Sequence, residues 1–538
     1  MLEGCQPWPA GVAEEYRRRG WWTGELLGRL LREPARHDPG RVAVVAGGVH
    51  YPYGELDARA DLLAAGFGKL GIAARDRVVV QLPNSVDFVP VCVALFRLGA
   101  LPVLALPAHR RAELTYLCTS TCATALVVPD TGGGIDFRDL ARQVLPAAPS
   151  VRHVLVAGEP DGFTPLAEVT AAPRELPEPD PSDVAFFLLS GGTTGVPKLI
   201  PRTHDDYAFQ LRATAAAMHF GQDGCYLAVL PVGHNAALGC PGVLGALRAG
   251  GRAVLAASPS PDEVFGLIRD EQVTLTTVMP SILPLWMDTA GLFGADLSGL
   301  TIEVGGAPLS AEVARRVRPA LGATLTHWFG MAEGVLCFTR PGEGDEAAAT
   351  SQGHPLCPGD EYQIVDESGQ DVPPGQTGQL LARGPCTLRG YYAAPQDNAR
   401  AFTPDGFLRT GDLVRLSPEG CLVVTGRIKD VINRGGEKVS SEEVEAHLMA
   451  HPAIRDAAVV AVPDPTLGER SHAAIVAGFP APDLAELRDF LTSRGLAAFK
   501  LPDRLAVVDA LPCTGVGKLD RRALAARLTA ASAPAELR

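Results

Sequence analysis

The sequence predicts an α/β protein with more than one domain, and three observations support this fold class. Its 538 residues exceed the size at which a single hydrophobic core usually keeps growing. Hydrophobic residues make up 46% and charged residues 20% of the chain, as in ordinary globular proteins, while 58 Gly and 45 Pro indicate many turns. Strand-like and helical segments alternate over residues 40–180, which is typical of layered α/β domains.

The elements follow this pattern in order. RVAVVAG and DRVVVQLPN are typical of strands, DFVPVCVALFRLGA of an apolar helix, and ALPVLALP of the next strand. Further strand and helix units continue to about residue 335. From about residue 360, short alternating segments with turn residues indicate a β-rich subdomain.

A last change of pattern predicts a small α+β domain at the C-terminal end. In GRIKDVINRGGEKVSSEEVEAHL, residues 426–448, a hairpin-like pair of runs leads into a helix. Ser440 and Glu443 match a capping box, and Val444 with Leu448 supplies the buried stripe. We therefore predict domains at 1–428 and 429–538.

Charge and composition exclude several classes of partner. A net charge of −13 argues against nonspecific binding to nucleic acid or to anionic membranes. No stretch reaches the roughly 18 apolar residues of a membrane span, and the N-terminus lacks an apolar signal region. The eleven Cys lack paired CxxC units, which favours reduced thiols. We predict a cytoplasmic protein without nucleic-acid or membrane partners.

The segment LLSGGTTGVPKLIPRTH, residues 188–204, is the strongest single indication of function. Backbone N–H groups, hydroxyls and the cation of Lys198 together suit a phosphate ligand. The ordinary P-loop is excluded because Pro197 precedes Lys198 and no GK[ST] tripeptide follows. Taken alone, the segment is also compatible with a plain linker.

Five further motifs follow or accompany this loop at wide spacing: GGAPLS at 305–310, FGMAEG at 329–334, GFLRTGDLV at 406–414, GRIKDVINRGGEKV at 426–439 and TGVGK at 514–518. In this order they resemble the ANL superfamily, which comprises acyl-CoA synthetases, adenylation domains of nonribosomal peptide synthetases, and luciferases. YGEL at 53–56 and LGALPVLALP at 98–107 extend the resemblance to roughly residues 45–525. It implies a large adenylating domain and a mobile C-terminal domain.

The resemblance implies a role for each motif toward ATP and Mg²⁺. The β- and γ-phosphates would be held by residues of the Gly-rich loop: Ser190, Gly191, Gly192, Thr193, Thr194 and Lys198. Glu333 would bind Mg²⁺, a cation that prefers carboxylate oxygen, although an isolated Glu is more often a solvated loop acid. Asp412 and Arg427 would bind the ribose, and Gly305 and Gly306 would let the backbone approach adenine.

Two lysines would serve catalysis in the C-terminal domain. By the resemblance, Lys518 would neutralise charge between the α-phosphate and the substrate carboxylate, although most such lysines are merely solvated. Lys429 matches the hinge about which the small domain rotates. That rotation would withdraw Lys518 and present Gly435, Gly436 and Lys438 to an incoming thiol.

The segment LPVGHNAALGCPG, residues 230–242, together with FGMAEG resembles stand-alone ligases that activate 2,3-dihydroxybenzoate or salicylate. By that match Asn235 would bind the carboxylate or 2-hydroxyl of the acid, and His234 would lie at the phosphate end, although a lone HN pair is often only a turn. Ala332 replaces the usual Thr, which puts one α-phosphate contact in doubt.

The side chains lining the pocket indicate the type of acid. Gly306 and Met331 would also line the pocket, and Cys240 with Leu336 favours salicylate-like acids, because a thiol satisfies a 3-hydroxyl poorly. Ala236 stands where an aromatic residue is usual and leaves space. We hypothesise a 2-hydroxyaryl acid with an added substituent or a heteroaromatic or bicyclic frame, such as methylsalicylate, 3-hydroxyanthranilate or hydroxypicolinate.

The sequence thus predicts a two-step ligase. ATP and an aryl acid would give aryl-AMP and pyrophosphate, and the phosphopantetheine thiol of a separate carrier protein would then take the aryl group. Three alternatives stay open: a ligase using free coenzyme A, a nonenzymatic adenylate-binding relative, and a thiol hydrolase using Cys240 and His234. The hydrolase is the weakest, because no orienting acid or oxyanion loop is recognisable.

Overall fold

The architecture was obtained from a computed structural model, which describes residues 2–190, 197–434, 437–464, 466–515 and 517–532. Two large, mainly parallel sheets form the N-terminal part, and helices cover them. A smaller antiparallel sheet follows, and a fourth sheet belongs to the C-terminal residues. The predicted fold class is confirmed.

The two large sheets carry most of the core. The nine-stranded sheet runs in the spatial order His354–Pro355, Leu336–Phe338, Thr324–Gly330, Thr301–Gly305, Leu275–Val278, Cys225–Ala228, Arg252–Leu255, Val42–Ala46 and Val49–Pro52. The seven-stranded sheet runs Leu199–Thr203, Val184–Leu189, Leu101–Leu104, Arg77–Val80, Ala125–Pro129, His153–Ala157 and Thr164–Pro165. A two-stranded ribbon joins Thr131–Gly132 to Ile135–Asp136.

Apolar runs explain why these strands form parallel sheets. Ala125–Pro129 and Leu101–Leu104 are buried along their whole length, as expected where helices cover both faces. The predicted apolar helix forms at Phe88–Leu98, where every residue is buried, and Gly99 ends it in the left-handed conformation. The strands predicted around Val42–Ala46 and Arg77–Val80 are also present.

The remaining helices surround these sheets and the C-terminal sheet. The other α-helices are Ala10–Arg18, Arg32–His37, Tyr53–Lys69, Arg111–Ser120, Phe137–Val144, His204–Ala217, Asn235–Gly239, Gly242–Arg248, Pro261–Asp270, Leu283–Phe293, Ala311–Leu321, Asp345–Thr350, Pro395–Ala401, Ser441–Met449, Leu484–Ser493 and Arg521–Ser532. Short 3₁₀ turns occur at Leu27–Arg29, Leu145–Ala147, Leu166–Glu168, Pro280–Ile282, Ile428–Asp430 and Ala498–Lys500. None of the described helices has the length and apolarity that crossing a bilayer requires.

The predicted β-rich subdomain is a four-stranded antiparallel sheet of Glu361–Val365, Gly378–Arg383, Leu408–Leu416 and Leu422–Arg427. Its last two strands pair with Asp412 directly opposite Arg427. Side chains that face each other across antiparallel strands interact directly. The register of this sheet therefore brings two of the predicted site residues together.

The C-terminal sheet begins at Val431, after the 3₁₀ turn Ile428–Asp430. It contains Glu437–Ser440, Val431–Arg434, Gly468–Ala477, Ile454–Asp464 and Arg504–Val507. The predicted hairpin and helix are present, and Val444 and Leu448 are fully buried.

The predicted capping box is only half formed. Ser440 Oγ accepts from the backbone N–H of Glu443, 3.3 Å away. The Glu443 carboxylate, however, accepts from Lys500 Nζ at 2.6 and 2.7 Å and so does not complete the box. A charged partner binds a carboxylate more strongly than a backbone amide does, which explains the difference.

Candidate active site

The predicted acid pocket starts at the short helix Asn235–Gly239, which His234 caps by accepting from the Ala236 N–H. Asn235 Oδ1 accepts from the Tyr207 hydroxyl at 3.0 Å and from Gln210 Nε2 at 3.3 Å. These two donors fix the orientation of the amide. Asn235 Nδ2 therefore remains as a donor and lies 3.7 Å from Cys240 Sγ.

Cys240 lies within this hydrogen-bonded cluster. Gln210 Nε2 is 3.6 Å from its sulfur and also donates to the Gly239 carbonyl. Burial raises the pKa of the Cys240 thiol well above its ordinary value. A thiol held in its neutral form is a poor nucleophile, so this geometry counts against the hydrolase alternative.

The other predicted pocket residues lie close by. Ala236 and Leu336 are buried, and Met331 packs partly exposed against the main core. Leu336 pairs with Gly330 across antiparallel strands, which places it at the start of the FGMAEG loop.

A fully buried arginine connects the acid pocket to that loop. Arg202 donates to Asp206 at 2.8 Å and to Gln210 Oε1 at 2.9 Å. It also donates to the Ala332 carbonyl at 3.1 Å. The same side chain therefore orients Gln210 beneath the pocket and holds the backbone next to Glu333.

Glu333 is buried, which fits a ligand-binding acid better than a solvated one. Tyr391 donates to its Oε1 at 2.9 Å, and the Leu388 N–H donates to its carbonyl. Burial raises the pKa of Glu333. Among the described residues, no cluster of three or more His, Cys, Asp and Glu side chains could hold a metal ion.

Asp412 is 1% exposed, and its two carboxylate oxygens differ in their environment. Oδ1 accepts from Arg427 Nε at 2.7 Å. Oδ2 is buried and has no hydrogen-bond partner among the described residues. An unsatisfied buried acceptor is costly, which suits a ligand hydroxyl at this position.

The two glycines predicted to contact adenine are both crowded. A side chain at Gly305 would clash with Trp328, whose indole ring occupies that space. Gly306 has a φ of +77°, and a Cβ there would lie 3.3 Å from Met279 Sδ. Glycine is therefore required at 305 because the backbone packs directly against Trp328.

Part of the Gly-rich loop is described. Ser190 and Lys198 bracket it, because the Ser190 N–H donates to the Lys198 carbonyl and Ser190 Oγ accepts from the Lys198 N–H. Lys198 Nζ lies 3.2 Å from Asp397 and over the ring of Tyr391, which itself contacts Glu333. The predicted phosphate ligands Gly191, Gly192, Thr193 and Thr194 lie outside the described residues.

Lys518 lies among the predicted nucleotide ligands. Its loop contacts the N-terminal part through Ser281 Oγ, which donates to the Gly517 carbonyl at 3.4 Å. Burial and repulsion by Arg427 lower the pKa of Lys518 to about 8, against the opposing charges of Glu333 and Asp412. Burial and the nearby Lys518 charge also lower the pKa of His234 to about 3. The charge of Lys518 thus interacts with Glu333, Asp412 and His234.

The remaining predicted residues are near the domain junction. Lys429 lies in the turn Ile428–Asp430, and burial lowers its pKa. Lys438 forms an ion pair with Glu367 of the four-stranded sheet. Gly435 and Gly436 lie outside the described residues.

Comparison with known families shows to which family the chain belongs. The family model described as AMP-binding enzyme matches residues 31–392, and that of the AMP-binding enzyme C-terminal domain matches residues 443–518. The chain belongs to the AMP-binding enzyme family. The resemblance found from the motifs is therefore confirmed.

Relatives of this AMP-binding enzyme match nearly the whole chain. It is 53% identical to 2,3-dihydroxybenzoate-AMP ligase of Bacillus subtilis, over 97% of each chain. It is 47% identical to salicyl-AMP ligase / salicyl-S-ArCP synthetase of Mycobacterium tuberculosis, over 99% of this chain and 96% of the other. The apo structure of MbtA from Mycobacterium smegmatis matches with a TM-score of 0.76 and 47% identity, over 97% of this chain and 99% of that one.

Sequence reasoning missed several polar residues of this AMP-binding enzyme. Arg202 and Gln210 lie in and after the Gly-rich segment, and Glu303 and Trp328 lie on strands of the nine-stranded sheet. Charged residues are rarely fully buried without a role or a partner. For Glu303, the sequence did offer a signal: a Glu inside the otherwise apolar strand TIEVG, which leads into the GGAPLS motif.

Proposed function

We propose that the protein is an aryl-acid AMP ligase that uses ATP and passes the aryl group to a carrier-protein thiol. Two observations support this proposal: the loop of the partly buried Lys518 bonds to Ser281 of the N-terminal part, and the Lys518 charge interacts electrostatically with Glu333, Asp412 and His234. These residues come from distant parts of the chain, and His234 directly precedes the predicted pocket residue Asn235.

In the first step, a carboxylate oxygen of the acid bonds to the α-phosphorus of ATP, and the bond to the leaving pyrophosphate breaks. Both reactants are anions, so a fixed cation between them lowers the barrier. Lys518 supplies that charge. Asn235 Nδ2 orients the acid, and neutral His234, whose Nδ1 accepts from Ala236, offers Nε2–H as a donor.

The nucleotide is held by the remaining residues. Asp412 Oδ2 accepts from a ribose hydroxyl, Arg427 supports it, and Gly305 and Gly306 admit adenine along the backbone. Lys198 and the Gly-rich loop bind the outer phosphates. Glu333 fits Mg²⁺ because it offers a buried hard oxygen ligand next to the phosphate site. When bound, Mg²⁺ neutralises phosphate charge.

In the second step, a phosphopantetheine thiolate bonds to the carbonyl carbon of the aryl-AMP, and AMP leaves. Rotation of residues 429–538 against residues 1–428 about Lys429 would exchange Lys518 for the segment that contains Lys438. Breaking the Lys438–Glu367 ion pair accompanies that motion. The carrier is a separate protein, and we place the reaction in the cytoplasm, where the free cysteines stay reduced.

The acid is a 2-hydroxyaryl acid, salicylate-like and larger than salicylate. Cys240 and Leu336 support a salicylate-like acid, and the small side chain of Ala236 supports an acid larger than salicylate. Acid-dependent pyrophosphate exchange over a panel of salicylates, hydroxypicolinates and hydroxyanthranilates tests both. If every substituted or heteroaromatic acid reacts more slowly than salicylate, the enlarged pocket is refuted.

The acceptor is tested by loading a holo carrier protein in parallel with free coenzyme A. Faster loading of the carrier supports the proposal, whereas faster thioester formation with coenzyme A assigns the protein to aryl-CoA ligases. Failure to exchange pyrophosphate with any aryl acid supports a nonenzymatic adenylate-binding protein. Loss of turnover after iodoacetamide treatment would revive a role for a cysteine nucleophile.

A further inference from the structure

Two buried polar atoms beneath the acid pocket have no hydrogen-bond partner among the described residues. One is Oε1 of Glu303, whose side chain is fully buried, and the other is the indole Nε1 of Trp328, which is 5% exposed. Buried polar groups in native proteins are nearly always paired. Two such atoms in one place therefore point to a ligand.

The strand register puts both side chains on the same face of the nine-stranded sheet. Glu303 pairs with Thr326, and Gly305 pairs with Trp328. Since side chains alternate along a strand, residues 303 and 305 share one face, as do residues 326 and 328. Trp328 lies against Gly305 and reaches Gly306, a predicted pocket residue.

Glu303 also interacts electrostatically with Cys240. Its negative charge contributes to raising the pKa of the Cys240 thiol, second only to burial. Its other oxygen, Oε2, accepts from Thr277 Oγ1 at 2.7 Å, and Tyr226 donates to Thr277 at 3.1 Å. These contacts hold the Glu303 carboxyl in place, so that Oε1 is a preorganised acceptor.

The chemistry of this acceptor limits what binds there. Burial raises the pKa of Glu303 to about 8. The ionised carboxylate offers Oε1 as an acceptor, whereas in the neutral acid Oε2, which accepts from Thr277, is the carbonyl oxygen and Oε1 carries the proton. A ring amino or hydroxyl group would satisfy Oε1, whereas a methyl group of similar size would leave it unpaired. Glu303 thus provides the acceptor that the Cys240 thiol does not.

We propose that Glu303 determines specificity by selecting aryl acids that carry a hydrogen-bond-donating substituent, amino or hydroxyl, at the ring edge facing Cys240. This inference rests on the proposed aryl-acid adenylation and names a narrower substrate class for the same pocket. Cys240 alone would favour acids without a hydrogen-bond donor at this edge. With Glu303 present, we expect the opposite preference.

The test compares acids of nearly equal size. Pyrophosphate exchange is measured with salicylate and with its 3-amino, 3-hydroxy and 3-methyl derivatives. In the wild type, we expect kcat/KM for at least one donor-bearing acid to exceed that for 3-methylsalicylate by about 5- to 150-fold, the cost of leaving one buried polar group unpaired. Equal rates with the methyl acid would overturn the proposal.

Variants connect the preference to Glu303. In Glu303→Leu the ratio should fall to about one. Glu303→Gln should also lose most of the preference, because Thr277 occupies its single carbonyl oxygen and the amide NH2, which only donates, takes the place of Oε1. Thr277→Val removes only the contact that holds Oε2, and it should weaken the donor preference less than Glu303→Leu does. A donor preference that survives in Glu303→Leu would refute the role of Glu303.

Pyrophosphate exchange with plain salicylate distinguishes a failure of the Glu303 proposal from a failure of the proposed aryl-acid adenylation. The thermal unfolding transition shows whether Glu303→Leu folds, and its donor preference is read as the ratio of two kcat/KM values measured within that variant. If wild-type protein exchanges pyrophosphate with salicylate but shows no donor preference, only the Glu303 inference fails. If none of the acids supports exchange, the proposed function itself fails, and the inference fails with it.

Discussion

The acid end and the nucleotide end of the candidate site are built differently. At the acid end, Asn235, Gln210 and Arg202 are buried and joined by hydrogen bonds within the N-terminal part of the chain. At the nucleotide end, Glu333 and Asp412 meet Lys518, which a separate C-terminal sheet and its loops carry. The acid pocket is thus built within one part of the chain, whereas the charge that we propose for catalysis would depend on where the C-terminal domain lies.

The largest effect should come from breaking the acid end. Arg202→Met leaves Asp206 as a buried carboxylate without its cation, and we expect the free energy of unfolding to fall by about 3–5 kcal/mol. Chemical denaturation measures this loss. Arg315→Met, which breaks an exposed pair with Glu346, is the control and should leave stability unchanged. Comparable losses of stability in both variants would show that the buried Arg202 network stabilises the fold no more than an exposed ion pair does.

Removing the charge of the nucleotide end should affect only one half-reaction. In Lys518→Ala, we expect pyrophosphate exchange to fall by about 10²- to 10³-fold, as for loss of one transition-state donor. Transfer from supplied aryl-AMP to the carrier should change far less. Lys500→Ala removes a cation paired with Glu443 in the same domain and should preserve both steps. Equal loss of both half-reactions in Lys518→Ala would contradict the division of roles.

A narrower test concerns the unpaired oxygen of Asp412. Asp412→Asn should raise KM for ATP by roughly 10- to 100-fold, because hydrogen bonds to charged groups are worth about 1.5–3 kcal/mol. KM for the acid should stay the same, since the acid end is built independently. Steady-state kinetics with each substrate varied in turn would show this, with Asp464→Asn, which loses its contact to Arg470, as the control.

The smallest effect is a dependence on pH. With a pKa of about 8, Lys518 is protonated below this pH and loses its charge above it. Since the charged form is the active one, kcat/KM for adenylation should fall about tenfold per pH unit above pH 8. Lys518→Arg, which stays charged, should remove this fall. A wild-type profile that is flat to pH 10 would exclude Lys518 as the titrating group.

Local patterns predicted the fold well because apolar runs decide which segments are buried. Strands such as Val42–Ala46 and the helix Phe88–Leu98 were predictable for this reason. The capping box was only half right, since Lys500 lies far from Glu443 in sequence and competes for its carboxylate.

The site was predictable only where motifs mark it. Asn235, Glu333, Asp412 and Lys518 each lie in a recognisable segment, and their roles remain predictions. Glu303 belongs to an ordinary-looking strand, and its unpaired oxygen is visible only once Thr277 and Cys240 surround it. Polar groups whose partners are distant in sequence leave no periodic signal.

The position of Arg202 has a practical consequence for engineering new substrate ranges. Because one guanidinium group contacts both Gln210 and the Ala332 carbonyl, remodelling the helix His204–Ala217 would also disturb the loop that carries Glu333. Libraries aimed at altered acid selectivity should therefore vary Ala236 and Glu303, which are not hydrogen-bond partners of Arg202, and leave the arginine and its partners intact.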